Sequence, residues 1–143
     1  MTVLSTYAKI QSLVAASSGI TSAPTVMPTA LNDVDLPCSL CFPGAATLQL
    51  QAAGLHRSDR LYTLRVFVKP VAQGAGVDEG FQEVLPIIQA LGLAFNQNVG
   101  LDNTVDHISE LRDSGVRGDM EYAGIAYHGF EMSFSVTEKT IIV

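Results

Sequence analysis

Charge is scarce in this chain. Of its 143 residues only 15% are charged, and eight Lys and Arg are outnumbered by fourteen Asp and Glu, for a net charge of −6. No basic cluster exceeds Arg57, Arg60 and Arg65, and no stretch interleaves aromatics with lysines. Non-specific affinity for a phosphate backbone comes mainly from counterions displaced by such cations, so this composition argues against a direct grip on nucleic acid. An acidic wall past which DNA slides stays open. Long apolar runs are missing too: none reaches the roughly eighteen residues of a membrane helix. The opening MTVLSTYAKIQSLVAASSG has neither the basic leader nor the apolar core of a signal peptide. The expectation is a protein made in the cytoplasm with no membrane partner.

Cysteine is down to two, Cys38 and Cys41, in a CxxC arrangement. A structural zinc needs four ligands, and the chain adds only His56, His107 and His128. Dithiol redox chemistry favours a helix N-terminus that lowers the thiol pKa. Here Pro37 precedes and Phe42-Pro43-Gly44 follows, so the segment reads as extended, and residues three apart in a strand face opposite sides. Two buried cysteines acting as small apolar residues are the better account. No metal or cofactor is expected. The histidines stand without an adjacent Ser or Cys nucleophile and are read as surface or turn residues. Gly74, Gly76 and Gly80 resemble a piece of a phosphate loop, but no Gly-Lys-Ser/Thr follows. The acids Asp102, Asp106, Glu110, Asp113, Asp119 and Glu121 are too dispersed for a calcium loop and read as a solvated or lumen-facing charged face. With no catalytic constellation in view, the expectation is a protein that is not an enzyme.

What the chain does have is hydrophobic content, 48%, and enough length for one domain with a single sizeable core. The clearest pattern is near the end. Phe130, Met132, Phe134 and Val136 alternate with Glu131, Ser133, Ser135 and Thr137, the period of a strand with one buried and one wet face. A turn is expected at His128-Gly129, with a further strand at Met120 to Tyr127 and a turn at Ser114 to Gly118. Thr104 to Arg112 fits both periods and is taken as a strand, because the sheet needs partners.

Earlier in the chain, Val3, Tyr7, Ile10, Leu13 and Val14 mark an amphipathic helix stopping near Gly19. Pro24, Pro28 and Pro37 make residues 20–37 an extended connector into a short strand at Leu40 to Phe42. Leu48, Leu50 and Ala52, then Tyr62, Leu64, Val66 and Val68, read as a long hairpin with GLHRSDR at its tip. A glycine-rich loop, Val71 to Gly80, leads to a turn at Asp78 to Leu85 and a firm helix from Pro86 to Phe95. The fold expected is α+β: a single domain over residues 1–143, its antiparallel or mixed sheet containing a long hairpin and packed by two helices.

That element order, with RLYTLRVFVKPV, the LPCSLCFP step and the YAGIAYHGFEMSFSV ending, resembles tail terminator and related neck (tail completion) proteins of long-tailed bacteriophages. The resemblance implies a homo-oligomer, a hexameric ring in the virion that caps the finished tail tube and stops its growth. Its partners would be the major tail tube protein and the head-side neck, or connector, protein, with DNA passing through unbound. No fixed motif transfers functional residues. Exposed loops carry binding, which selects His56, Arg57, Ser58, Asp59 and Arg60 at the hairpin tip, and Gln73, Gly74, Gly76, Asp78 and Glu79 in the glycine-rich loop, as candidate contacts. The alternatives are a head–tail connector, a small-molecule-binding α/β module with a pocket between helix Pro86 to Phe95 and the sheet, and an enzyme using Cys38 and Cys41.

Overall fold

A computed structural model of the chain describes residues 3–52, 55–71, 77–98, 100–101 and 107–141. Among the described residues two α-helices, α1 (Val3–Ala15) and α2 (Val77–Gln97), accompany five strands: β1 (Cys38–Ala52), β2 (Leu55–Pro70), β3 (His107–Asp113), β4 (Arg117–Tyr122) and β5 (Ile125–Ile141). All pairs are antiparallel, in the order β1-β2-β5-β3, with β4 also on β5. The α+β architecture read from the sequence is the one observed.

The sheet buries residues on both faces. Paired residues across antiparallel strands share a face, so Cys41, Leu64 and Met132 form one row, and Pro43, Tyr62 and Phe134 the next. This face lies under the helices. Ile10 and Val14 of α1, and Val84, Ile87, Leu91 and Phe95 of α2, pack there with Tyr62, Phe130 and Phe134. The spacing of those α2 residues, three, four and four, is the inward stripe of a helix. A smaller core covers one end of the other face, where Leu31, Cys38, Leu40, Phe67, Met120 and Tyr127 are buried together. Cys38 and Cys41 therefore sit in different cores on opposite faces, as strand alternation requires.

Several boundaries differ from the sequence reading. β1 is one strand of fifteen residues rather than a short one, and it shifts register between Pro43 and Ala46. β2 begins at Leu55, so His56 to Arg60 belong to a strand and are not a hairpin tip. α2 runs from Val77 straight through Pro86, which is exposed, and Leu85 also faces outward. A proline ring on the wet side loses one backbone hydrogen bond without disturbing the packed stripe. The helix therefore replaces the expected turn at Asp78 to Leu85.

β5 continues through His128-Gly129, and the turn lies earlier, at Ala123-Gly124, both with positive φ (52° and 82°). Two such residues between antiparallel strands suit the tight hairpin that matches strand twist. Gly129 serves a different need. A Cβ there would stand 1.9 Å from the carbonyl oxygen of Val66 on β2, so the position requires a residue without one. His128, expected on the surface or in a turn, is buried in β5 next to Gly118.

Polar side chains fix α1 and the connector. Gln11, buried on α1, donates through Nε2 to the carbonyls of Pro24 (2.7 Å) and Ser39 (3.1 Å). Thr6, buried one turn earlier, donates to the carboxylate of Glu138, and Tyr122 donates to the carbonyl of Pro28. Burial pushes the Cys41 thiol up to about 12. Burial and then the nearby Glu138 charge push the Tyr62 phenol up to about 12. Both groups are held neutral by folding, while the unfolded chain ionises them near their ordinary values of 9.0 and 10.0. Above that point the unfolded state binds fewer protons than the folded one, so stability falls as pH rises. A urea midpoint insensitive to these two groups up to about pH 9, then declining toward pH 12, is the expected titration.

Candidate interaction surface

β1 stands at one edge of the sheet. Its sequence, CSLCFPGAATLQLQA, contains no charged residue. An open edge offers unpaired N–H and C=O groups to any passing strand, and proteins usually blunt such edges with charges, above all lysine. Here charge is absent over the whole strand, and Pro43 with the bulge after it interrupts the edge only near its middle.

The beginning of the edge is covered. Ser39 donates its N–H to the carbonyl of Ser22 (3.0 Å), and its own carbonyl accepts from Gln11. Among the described residues no backbone hydrogen bond from the connector reaches β1 beyond Ser39. From Ala45 to Gln49 the side chains are all exposed, Leu48 by 58%. Pro43 fits this place because an edge strand needs no donor on its outer side. At the register shift Arg60 donates through Nη1 to the Gly44 carbonyl (2.8 Å), holding the bulge against β2.

Beside the edge, on the helix face, lies an apolar hollow of about 480 Å³ lined by Leu4, Tyr7, Met27, Cys41 and Pro43. Leu4 is 75% exposed and the neighbouring Val26 is 78% exposed. Ala46 and Leu48 share the face of Pro43. The result is an apolar strip running from α1 across the connector to the edge strand. The strip escaped sequence reading because its parts are distant in sequence; the available signal was the missing charge between Cys38 and Ala52.

The far edge is different. β3 carries Glu110, Arg112 and Asp113, shifts register between Ser109 and Arg112, and puts Glu110 at a positive φ of 52°. Glu110 pairs with Arg112 (3.2 Å), and β4 adds an Arg117–Asp119 pair at 3.0 Å. Arg117 holds the Asp119 carboxyl below its usual range by hydrogen bond and charge. Arg117 and Arg65 also converge on Glu131. Of the dispersed acids, Glu110, Asp113, Asp119 and Glu121 are exposed, whereas Asp102 and Asp106 lie outside the described residues.

The candidate contacts chosen from sequence fare unevenly. Arg57 pairs with Asp59 (3.4 Å). Asp59 accepts a hydrogen bond from Thr137 on β5 at 2.6 Å, so these residues stitch β2 to its neighbours and are half-buried. Their selection as an exposed tip is corrected. Gln73, Gly74 and Gly76 lie outside the described residues, and Asp78 and Glu79 fall in the first turn of α2. Among the described residues no three of His, Cys, Asp and Glu come together as a metal would need, and no helix is long and apolar enough to cross a membrane. Cys38 and Cys41 face apart and burial raises both thiols, an arrangement unsuited to dithiol exchange. A second hollow, about 490 Å³, lies between α2, the end of β2 and the connector, with Lys69 and Glu83 paired across it at 3.5 Å. No protein-family model matches this chain, and no curated protein matches it either.

Proposed function

We propose that this chain is a structural virion subunit without enzymatic turnover, a tail terminator whose copies close into a hexameric ring on the end of a phage tail tube. The ring stops tube growth, joins the head-side neck and lets DNA pass without specific binding. The observation that carries this reading is the exposed apolar strip along α1, the connector and β1, on a chain whose few charges are mostly acidic. Large contiguous apolar surface is the mark of a partner site, and a net negative chain leaves DNA ungripped. Uncapped tail tubes mixed with the purified protein are expected to show ring density at one end by negative-stain imaging and to stop elongating. Tubes that stay bare and keep growing at saturating protein would overturn it. Binding to the head-side neck instead of the tube would assign the connector role. The hollow beside α2 favours a second reading, a small-molecule-binding module, because its volume lies in the range of ligand sites. A metabolite that raises the melting temperature while tubes stay bare would favour it.

A further inference from the structure

We infer that in the free protein β1 of one copy pairs antiparallel with β1 of a second copy, about a two-fold axis at Thr47. The pairing follows from which backbone groups point outward. Ser39 turns both its N–H and its carbonyl away from β2, to Ser22 and Gln11. Outward groups alternate along a strand, so Cys41 and Pro43 also point out, and Pro43 places its missing donor where β2 does not need one. At the bulge β1 advances from Pro43 to Ala46 while β2 advances only from Tyr62 to Arg60. The alternation therefore resets, and Ala46 and Leu48 point outward while Thr47 pairs with β2 at Asp59.

Two copies set antiparallel around Thr47 bring Ala46 of each opposite Leu48 of the other, closing a pair of hydrogen bonds on either side of the axis. On the helix face the small Ala46 side chain lies against the large exposed Leu48. On the other face the two Thr47 side chains meet as a non-hydrogen-bonded pair, the closer of the two antiparallel spacings.

The occupant is a second copy for two reasons. Among the described residues β1 is the one edge strand without charge, β3 and β4 both being charged, so the uncharged edge meets its own kind, which is an isologous contact. Molecules each carrying −6 repel, and a strand without charge is where two of them approach at least cost. The inference stands on the edge alone and does not need the virion reading.

The test is a Thr47→Cys variant of the full chain. A non-hydrogen-bonded antiparallel pair sits about 4.5 Å apart at Cα, within disulfide reach. The native Cys38 and Cys41 are buried and give little background. Mild oxidation is expected to yield a covalent dimer, and the wild-type chain to sediment as a concentration-dependent dimer. Leu48→Lys is expected to weaken that dimer roughly tenfold or more, with an unchanged circular dichroism spectrum and melting temperature. Ile125→Lys, an exposed apolar position at the β4–β5 turn, is expected to leave it intact. A wild-type monomer at the highest soluble concentration with no cross-link would overturn the inference and leave the edge for a different protein. Larger species without the 47–47 cross-link would overturn it in favour of a head-to-tail contact. Bare tail tubes in the assay above would not touch it.

Discussion

Replacing Phe134 by alanine is expected to cost roughly 3–5 kcal/mol, the range for removing a large aromatic side chain from a packed core. Phe134 is fully buried at the middle of β5, under α2. Its ring centroid lies 4.8 Å from that of Phe95 and 6.1 Å from that of Tyr62. One truncation therefore removes one of the contacts by which α2 rests on the sheet and the stacking partner of Tyr62 on β2. A strand in the centre of a sheet cannot collapse into the space without losing its own ladder, so little of the cavity is recovered. Denaturant unfolding followed by circular dichroism checks this. A loss below about 1 kcal/mol would mean that α2 does not pack on Phe134 as described. Phe134→Leu, which keeps most of the apolar volume, is expected to cost about half as much.

Gly129→Ala is the second large effect, expected at about 3 kcal/mol, the upper end of ordinary overpacking. The atom in the way is the Val66 carbonyl oxygen, 1.9 Å from the added Cβ, and behind it the Val66 carbonyl carbon at 3.0 Å. A flexible side chain gives way cheaply, but a backbone carbonyl between two paired strands moves only with its ladder. The substitution has to part β2 from β5 locally, close to the register shift between Phe67 and Lys69. By contrast Gly124→Ala meets open space and suffers only from its positive φ of 82°. It is expected to be the milder of the two when their urea midpoints are compared. Equal costs would remove the steric explanation for Gly129.

The contrast between these glycines shows where sequence reading succeeded and where it stopped. The alternation from Phe130 to Val136 was legible because one face of β5 is buried and the other is half wet along that stretch. The run from Ile125 to Gly129 was not, because His-Gly looks like a turn while the true turn begins at an alanine with positive φ. Alanine carries no signal for that conformation, unlike asparagine or aspartate. His56 to Arg60 looked like a loop because polar residues cluster there. In the fold they lie along β2, where Asp59 reaches Thr137 on β5 and Arg60 reaches the Gly44 carbonyl on β1. Pro86 suggested a helix start, since whether a proline faces water depends on a tertiary contact the sequence does not state.

The uncharged edge was half legible. Its freedom from charge can be read directly, but its place at the margin depends on β5 lying between β2 and β3. That insertion is set by pairings such as Leu64 with Met132, far apart along the chain.

The position of β5 also orders events during synthesis. The strand that pairs with β2, β3 and β4 is the last of the five to leave the ribosome. Until it emerges, β2 lacks its inner neighbour and β3 and β4 have no sheet to join, while α1 and α2 have only half a floor beneath them. Contacts this distant in sequence form slowly, since the intervening chain must be closed first. During that interval the inner margin of β2 and the uncharged stretch of β1 beyond Ser39 both stand unpaired, in the form most exposed to capture by neighbouring nascent chains. Translation therefore delivers the open-edged half of the molecule before the strand that organises it.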